Sequence, residues 1–322
     1  MSDFVRQNAV ATDFATSDSW VILSSIEQSI KRKIEAIGVP LKDWDINIYR
    51  GVLTGYNEAF IISTEKRNEI LNNCQNPEER QRTEELIRPI LRGRDIKRYG
   101  YDWADLWLIA TFPAKNYDIE QYPAVKNYLL SFAEPMLREV GLDWVADGYL
   151  ADYCYQKLAQ TGQYIEIAGQ RIRLGSGDEK ARKKTSNKWF ETQDSISYWD
   201  DFSKPKIVWG NLNLDGSYSR VPEGVFINAP SPFIATSNIP VLHVLNSKLA
   251  DYYIRSLGVT RNGGYFEYKP MFVEKCPIPQ TGLDELNKYP EKPTIEQEQE
   301  INKYLFKLVG LTHEEMEFIE TQ

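Results

Sequence analysis

Five cations fall within eleven residues of this chain: Arg88, Arg92, Arg94, Lys97 and Arg98 accompany a single acid, Asp95. The stretch carries +4 inside a chain of 322 residues whose net charge is −8. A second basic cluster spans residues 170–188, where seven cations (Arg171, Arg173, Lys180, Arg182, Lys183, Lys184 and Lys188) face Asp178 and Glu179. Cations at this density suit a polyanion, because affinity for nucleic acid is dominated by phosphate contacts. The pI of about 5.1 speaks against such a partner only if charge is averaged over the chain, and its distribution matters more. The excess acid lies elsewhere: residues 282–322 hold ten acids and four lysines, and residues 100–157 nine acids and four bases. A one-sided binder with an acidic back is expected. Arg92, Arg94, Lys97, Arg98, Lys183 and Lys184 are its candidate phosphate contacts.

Other residues could read base edges. Tyr164–Leu174 reads as two short strands around Gly169, with Ile172 and Leu174 on one face and Arg171 and Arg173 on the other. A two-stranded ribbon fits the major groove of B-DNA, and arginine is the commonest bidentate reader of guanine. A flexible basic loop follows and ends at Asn187. The run Arg261-Asn262-Gly263-Gly264 is a strong turn signal, Asn-Gly being favoured where both central residues need positive φ. It lifts Arg261 and Asn262 to a tip beside Tyr265. Arg171, Arg173, Asn187, Arg261, Asn262 and Tyr265 are therefore the base-reading candidates, although solvated hairpin tips would have the same composition.

Catalytic sets are missing from the sequence. There is no GxGxxG loop and no P-loop. Adenine-N6 methyltransferases hold a flipped base with an Asn-Pro-Pro-Tyr type motif; the nearest string here, Asn76-Pro77-Glu78, lacks the second proline and the aromatic. Asp178-Glu179-Lys180 has the residue types of a metal-dependent nuclease, but a metal site needs rigid ligand support and this basic run reads as a loop. His243 and His313 lie far apart on expected helices, without a partner for general-base work. Cys74, Cys154 and Cys276 are odd in number and lack CxxC spacing, a pattern that fits reduced thiols and speaks against a disulfide framework or a structural zinc site. No window approaches a membrane span, and residues 1–20 lack the pattern of a signal peptide. A cytoplasmic protein that binds no membrane is expected.

The elements that must position these residues are short. Asp45–Ser63 is expected to be a hairpin: Ile46 and Ile48 alternate with polar residues, Gly51 and Gly55 break the run, Asn57 and Glu58 sit at the tip, and Ala59–Ile62 return. Ser24 and Glu27 form a capping box before a helix with Ile26, Ile30, Ile34 and Ile37 on one stripe, ended by Gly38-Val39-Pro40. Polar helices fill Thr64–Ile87 around Asn76-Pro77, Leu106–Thr111 is a core strand, and Pro123–Leu130 a helix. Lys206–Trp209 is a buried strand, Asp215-Gly216 a turn, and Phe226–Thr236 a strand pair broken by Pro230 and Pro232. A single helix is expected within Pro240–Leu257. Two helices close the chain, one opened by a capping box at Thr294/Gln297 and a last short one starting at Thr312-His313-Glu314-Glu315.

Taken in order, the segments RGVLTGYNEAFII (50–62), PILRGRDIKRY (89–99), KWFETQ (188–193), KPKIVW (204–209), LNSKLADYY (245–253), GGYFEYKP (263–270) and CPIP (276–279) carry a resemblance. From about Trp20 onward the chain resembles the TaqI-like C-terminal specificity domain. That is the target-recognition domain of adenine-N6 DNA methyltransferases and of fused type IIG restriction–modification enzymes. The resemblance implies an α+β fold of short, mostly antiparallel twisted sheets flanked by helices, with helical segments at both ends. It divides the chain into a lead and connecting helix (1–44), a recognition domain (45–280) and a helical segment (281–322). It implies double-stranded DNA and a methyltransferase domain or subunit as partners. No cofactor is expected on this chain; AdoMet, and Mg2+ if a nuclease is fused, would belong to the other domains. The motifs are shared by family members with different targets, so they support the fold or grip backbone. Two alternatives stay open: a separate specificity subunit of a multi-chain phage-defence system, and a protein-interaction module of such a complex that never touches DNA.

Overall fold

The computed structural model describes residues 23–133, 164–167, 170–173, 185–258 and 260–322. The fold is α+β, built on two four-stranded sheets. In the first, the order is Tyr218–Val221, Lys206–Trp209, Pro232–Ile234 and Ile48–Arg50, every neighbour antiparallel. All four residues of Lys206–Trp209 are buried, and strand alternation sends their side chains to opposite faces. Ile207 and Trp209, with Tyr218 and Ile234, enter one hydrophobic core; Val208, Val221 and Phe233 enter another. The sheet is thus a wall shared by two cores, and burial of each large side chain contributes about 1.5–3 kcal/mol to holding it there.

The second sheet lies on the Val208 side. Its order is Phe226–Ile227, Ile87–Leu91, Leu106–Ile109 and Ile61–Ser63, with only the 226–227 pairing parallel. Helices Thr64–Asn72, Pro77–Leu86 and Pro123–Leu130 cover it. On the Trp209 side, the helices Ser25–Ile37, Lys248–Leu257, Ile295–Val309 and His313–Glu320 pack together. The expected capping boxes at Ser24 and Thr294 form, and the structure adds a third at Thr312. The stripe of the first helix is covered by its own chain: Ile30 and Ile34 are buried in this core, and Lys33 Nζ meets Glu315 at 2.6 Å.

Three expectations fail. Ile48–Arg50 and Ile61–Ser63 are not a hairpin but strands of different sheets, and Asn57–Phe60 is a helical turn. The crossing is made at Gly51, where an added Cβ would lie 2.5 Å from the Ile227 carbonyl oxygen, so only glycine lets the two backbones meet. The Gly51 and Val52 amides donate to the Ser231 and Ile227 carbonyls at 2.8 and 2.7 Å. Phe226–Ile227 and Pro232–Ile234 likewise belong to different sheets. The single helix expected in 240–257 is two, Ile239–Leu245 and Lys248–Leu257, because the Ser247 hydroxyl caps the second.

The resembling motifs fasten these parts together. The Gln193 and Asp194 amides donate to the Thr54 and Leu53 carbonyls, and Asp194 accepts from Arg50 Nη2 at 2.9 Å. Asn246 clamps the Tyr218 residue, accepting from its amide and donating to its carbonyl at 2.9 Å each. Trp209 Nε1 donates to the Tyr268 carbonyl at 2.7 Å.

Candidate nucleic-acid interface

A groove of about 1250 Å³ opens beside the first sheet. Arg92–Arg98 forms one wall, the Gly210–Ser217 loop and Asn228–Ser231 the base, and Thr260–Glu267 the other wall. Seven of the twelve candidate residues line it: Arg92, Arg94, Lys97, Arg98, Arg261, Asn262 and Tyr265. The two walls are some 160 residues apart in sequence, and the second is joined to the base through the ribbon in which Leu212–Asn213 pairs with Phe266–Glu267.

The basic wall is shaped by its own sequence. Arg92-Gly93-Arg94-Asp95 makes a tight turn in which the Asp95 carboxylate accepts from the Arg92 amide at 2.8 Å. Ile96–Lys97 and Gly100–Tyr101 then pair across a two-residue turn. Tyr99 holds a left-handed φ of 56° there, a conformation that costs a non-glycine residue about 1–2 kcal/mol. Burial of its ring and a 2.9 Å bond from its amide to the Tyr218 carbonyl offset that cost. The opposite wall ends in a tip where Gly263 and Gly264, not Asn262, take positive φ (78° and 80°). The Asn-Gly turn expected from the sequence is therefore shifted by one residue. Arg261, Asn262 and Tyr265 remain exposed on it.

The groove cations differ in what they can still bind. Arg92 places Nε and Nη2 on the two oxygens of Asp95 (2.9 and 2.8 Å), leaving the Nη1 end of the guanidinium open. Burial pushes the Asp95 carboxyl up, but the hydrogen bonds from Arg92 prevail and hold it below the usual range. Arg98 is engaged on all sides, with Nε on Glu298 at 2.7 Å and Nη1 on the Gly216 carbonyl at 3.2 Å. Its place in the wall is therefore that of an internal brace. Arg261 directs Nε and Nη2 to Glu267 Oε1 at 2.7 and 2.6 Å. Lys97 Nζ donates only to the Arg94 carbonyl (2.9 Å), and the exposed Arg94 side chain makes no hydrogen bond or ion pair among the described residues. Among the described residues, Arg94 and Lys97 are thus the groove cations without a carboxylate hydrogen bond.

Of the remaining candidates, Asn187 does not line the groove. Asn187 Nδ2 donates to the Thr192 and Gln193 carbonyls at 2.8 and 3.0 Å, so its amide group ties its own loop. Arg171 and Arg173 lie on the Gln170–Arg173 strand, paired with Tyr164–Ile167 in the register Arg171↔Glu166 and Arg173↔Tyr164, which is the expected ribbon. Lys183 and Lys184 lie outside the described residues. Sequence reasoning missed the base of the groove, where Leu212 and Leu214 (48% and 56% exposed) alternate with Asn211 and Asn213. The Asn-Leu-Asn-Leu string gave no signal by itself, because singly exposed leucines are ordinary on a protein surface and their exposure is decided by the fold.

Among the described residues, no group of three or more His, Cys, Asp or Glu side chains converges to hold a metal, and no helix is long and apolar enough to cross a membrane. His243 is buried beside Tyr99, and burial lowers its pKa; His313 is exposed on the last helix.

No protein-family model matches the chain, and no curated protein matches it by sequence. Among solved structures, it is similar to the type IIL restriction–modification enzyme MmeI, determined in complex with DNA. The TM-score is 0.50 and the identity 11%, covering 88% of this chain and 36% of that one. It also matches the type IIG restriction endonuclease BpuSI, with a TM-score of 0.44 and 13% identity over 88% of this chain and 32% of that one. The chain spans about a third of the length of each enzyme. The similarity to MmeI is one of fold.

Proposed function

We propose that this chain is a target-recognition module for duplex DNA, which positions a separate adenine-N6 methyltransferase domain or subunit, with or without a nuclease, of a restriction–modification system. The observation that carries this reading is the groove: exposed cations on one wall face an exposed Arg-Asn-Tyr tip on the other. Phosphate contacts set register and base-edge contacts set sequence. Arg94 and Lys97 are the phosphate grips, the end of Arg92 adds to them, and Arg261, Asn262 and Tyr265 read bases. The fold shared with part of MmeI supports the reading. The chain supplies recognition, and the chemistry belongs to its partner.

The test is binding of the 322-residue chain to a fluorescent random-sequence duplex over a salt series. Affinity falling steeply with salt is the expected result. The carboxylates paired with Arg92, Arg98 and Arg261 favour the competing reading, a protein-interaction module. Absent or salt-independent binding would establish that reading at the expense of this one.

A further inference from the structure

We propose that Glu267 is a positioning residue that decides which edge of Arg261 faces the groove, and that it thereby makes Arg261 a reader of guanine. The inference rests on the DNA reading above and extends it to one base and one specificity-determining carboxylate.

A guanidinium offers two bidentate edges, a side edge formed by Nε and Nη2 and an end edge formed by Nη1 and Nη2. Glu267 occupies the side edge, with both nitrogens on Oε1 at 2.7 and 2.6 Å. The carboxylate itself is fixed. Glu267 is buried at 9% exposure, sits on a strand paired with Leu212–Asn213, and has its other oxygen held by Lys269 Nζ at 2.7 Å. Arg261 is 53% exposed, and its amide is anchored to the Tyr265 carbonyl at 2.7 Å. A long side chain on a surface loop would otherwise sample many rotamers. Here its base and its side edge are both held, and only the end edge remains for a ligand.

Two acceptors set side by side fit that edge, which describes O6 and N7 of guanine in the major groove. Phosphate oxygens could also accept from it, but a phosphate would bring negative charge against Glu267, whereas a base edge is neutral. The carboxylate therefore selects a base over the backbone. Arg94, without such a partner, keeps no such preference.

The experiment is selection of bound sequences from a duplex library with a randomised core, followed by affinity measurement on the enriched duplex and its single-base variants. The native chain is expected to enrich guanine at one position. Glu267→Gln should reduce the preference for that guanine by about tenfold while binding random duplex as tightly or more tightly. Arg261→Lys keeps the charge but removes the end edge, so it should lose the same preference. Retention of the guanine preference in either variant overturns the assignment. Should Glu267→Gln melt early, Arg261→Lys still decides the matter. Binding by the native chain with no guanine preference removes this inference and leaves the DNA reading intact. Absence of salt-sensitive binding removes both.

Discussion

Three of the four groove arginines, Arg92, Arg98 and Arg261, are defined by the carboxylate beside them. Asp95 is buried at 5% exposure and takes both its amide and its guanidinium partners from Arg92. Removing the guanidinium strands a carboxylate in a poorly solvated site. Arg92→Ala is therefore expected to lower stability by about 2 kcal/mol, less than for a fully buried pair because Arg92 is still partly solvated. Arg94→Ala, at an exposed and unpaired position, should stay within about 0.5 kcal/mol of the native chain. Chemical denaturation of the two variants separates bracing from binding, and equal midpoints would sink the distinction. The two residues look interchangeable in the string RGRD, yet their local geometry gives them different work.

At the level of elements, the first and last helices are tied by Glu315. Its carboxylate accepts from Lys33 Nζ at 2.6 Å, from Ser29 Oγ at 2.7 Å and from the Thr312 amide at 2.6 Å. Burial works to raise its pKa, but these bonds, led by Lys33, prevail and bring it down to about 2 from an ordinary 4.5. A carboxyl depressed in the folded state stabilises the fold above its unfolded pKa, and loses that contribution as pH falls through the folded value. The stabilisation is thus complete above about pH 4.5 and declines towards pH 2. Glu315→Gln should be less stable at neutral pH and should show a shallower acid slope across that window, as followed by thermal melts. Identical slopes would mean that the helices are held by Ile30, Ile34 and their apolar neighbours alone.

For the whole molecule, the proposed function requires a chain of net charge −8 to approach a polyanion. Distribution allows it: the acid-rich 282–322 segment builds the helical end, and the exposed cations Arg94 and Lys97 line the groove. Neutralising one cation that grips a phosphate should reduce the slope of log affinity against log salt by about one. Arg94→Ala with Lys97→Ala is expected to reduce that slope by about two and to weaken binding to every duplex alike, because phosphates carry no sequence information. An unchanged slope would remove both residues from the interface.

The sequence by itself determined the capping boxes at Ser24 and Thr294, the buried Lys206–Trp209 strand and the paired strands Tyr164–Ile167 and Gln170–Arg173, because each is written in a local period or a cap, while the α+β fold class came from the resemblance. The sequence also singled out the cations and the turn that make up the groove walls. Tertiary structure alone decided that Ile48–Arg50 and Ile61–Ser63 separate into two sheets, since the close approach at Gly51 depends on a backbone some 180 residues away. It alone decided which arginines stay open, for Glu298 is 200 residues from Arg98, and pairing follows distance in space. Charge can be counted along a chain, but whether a charge is free depends on what folds against it.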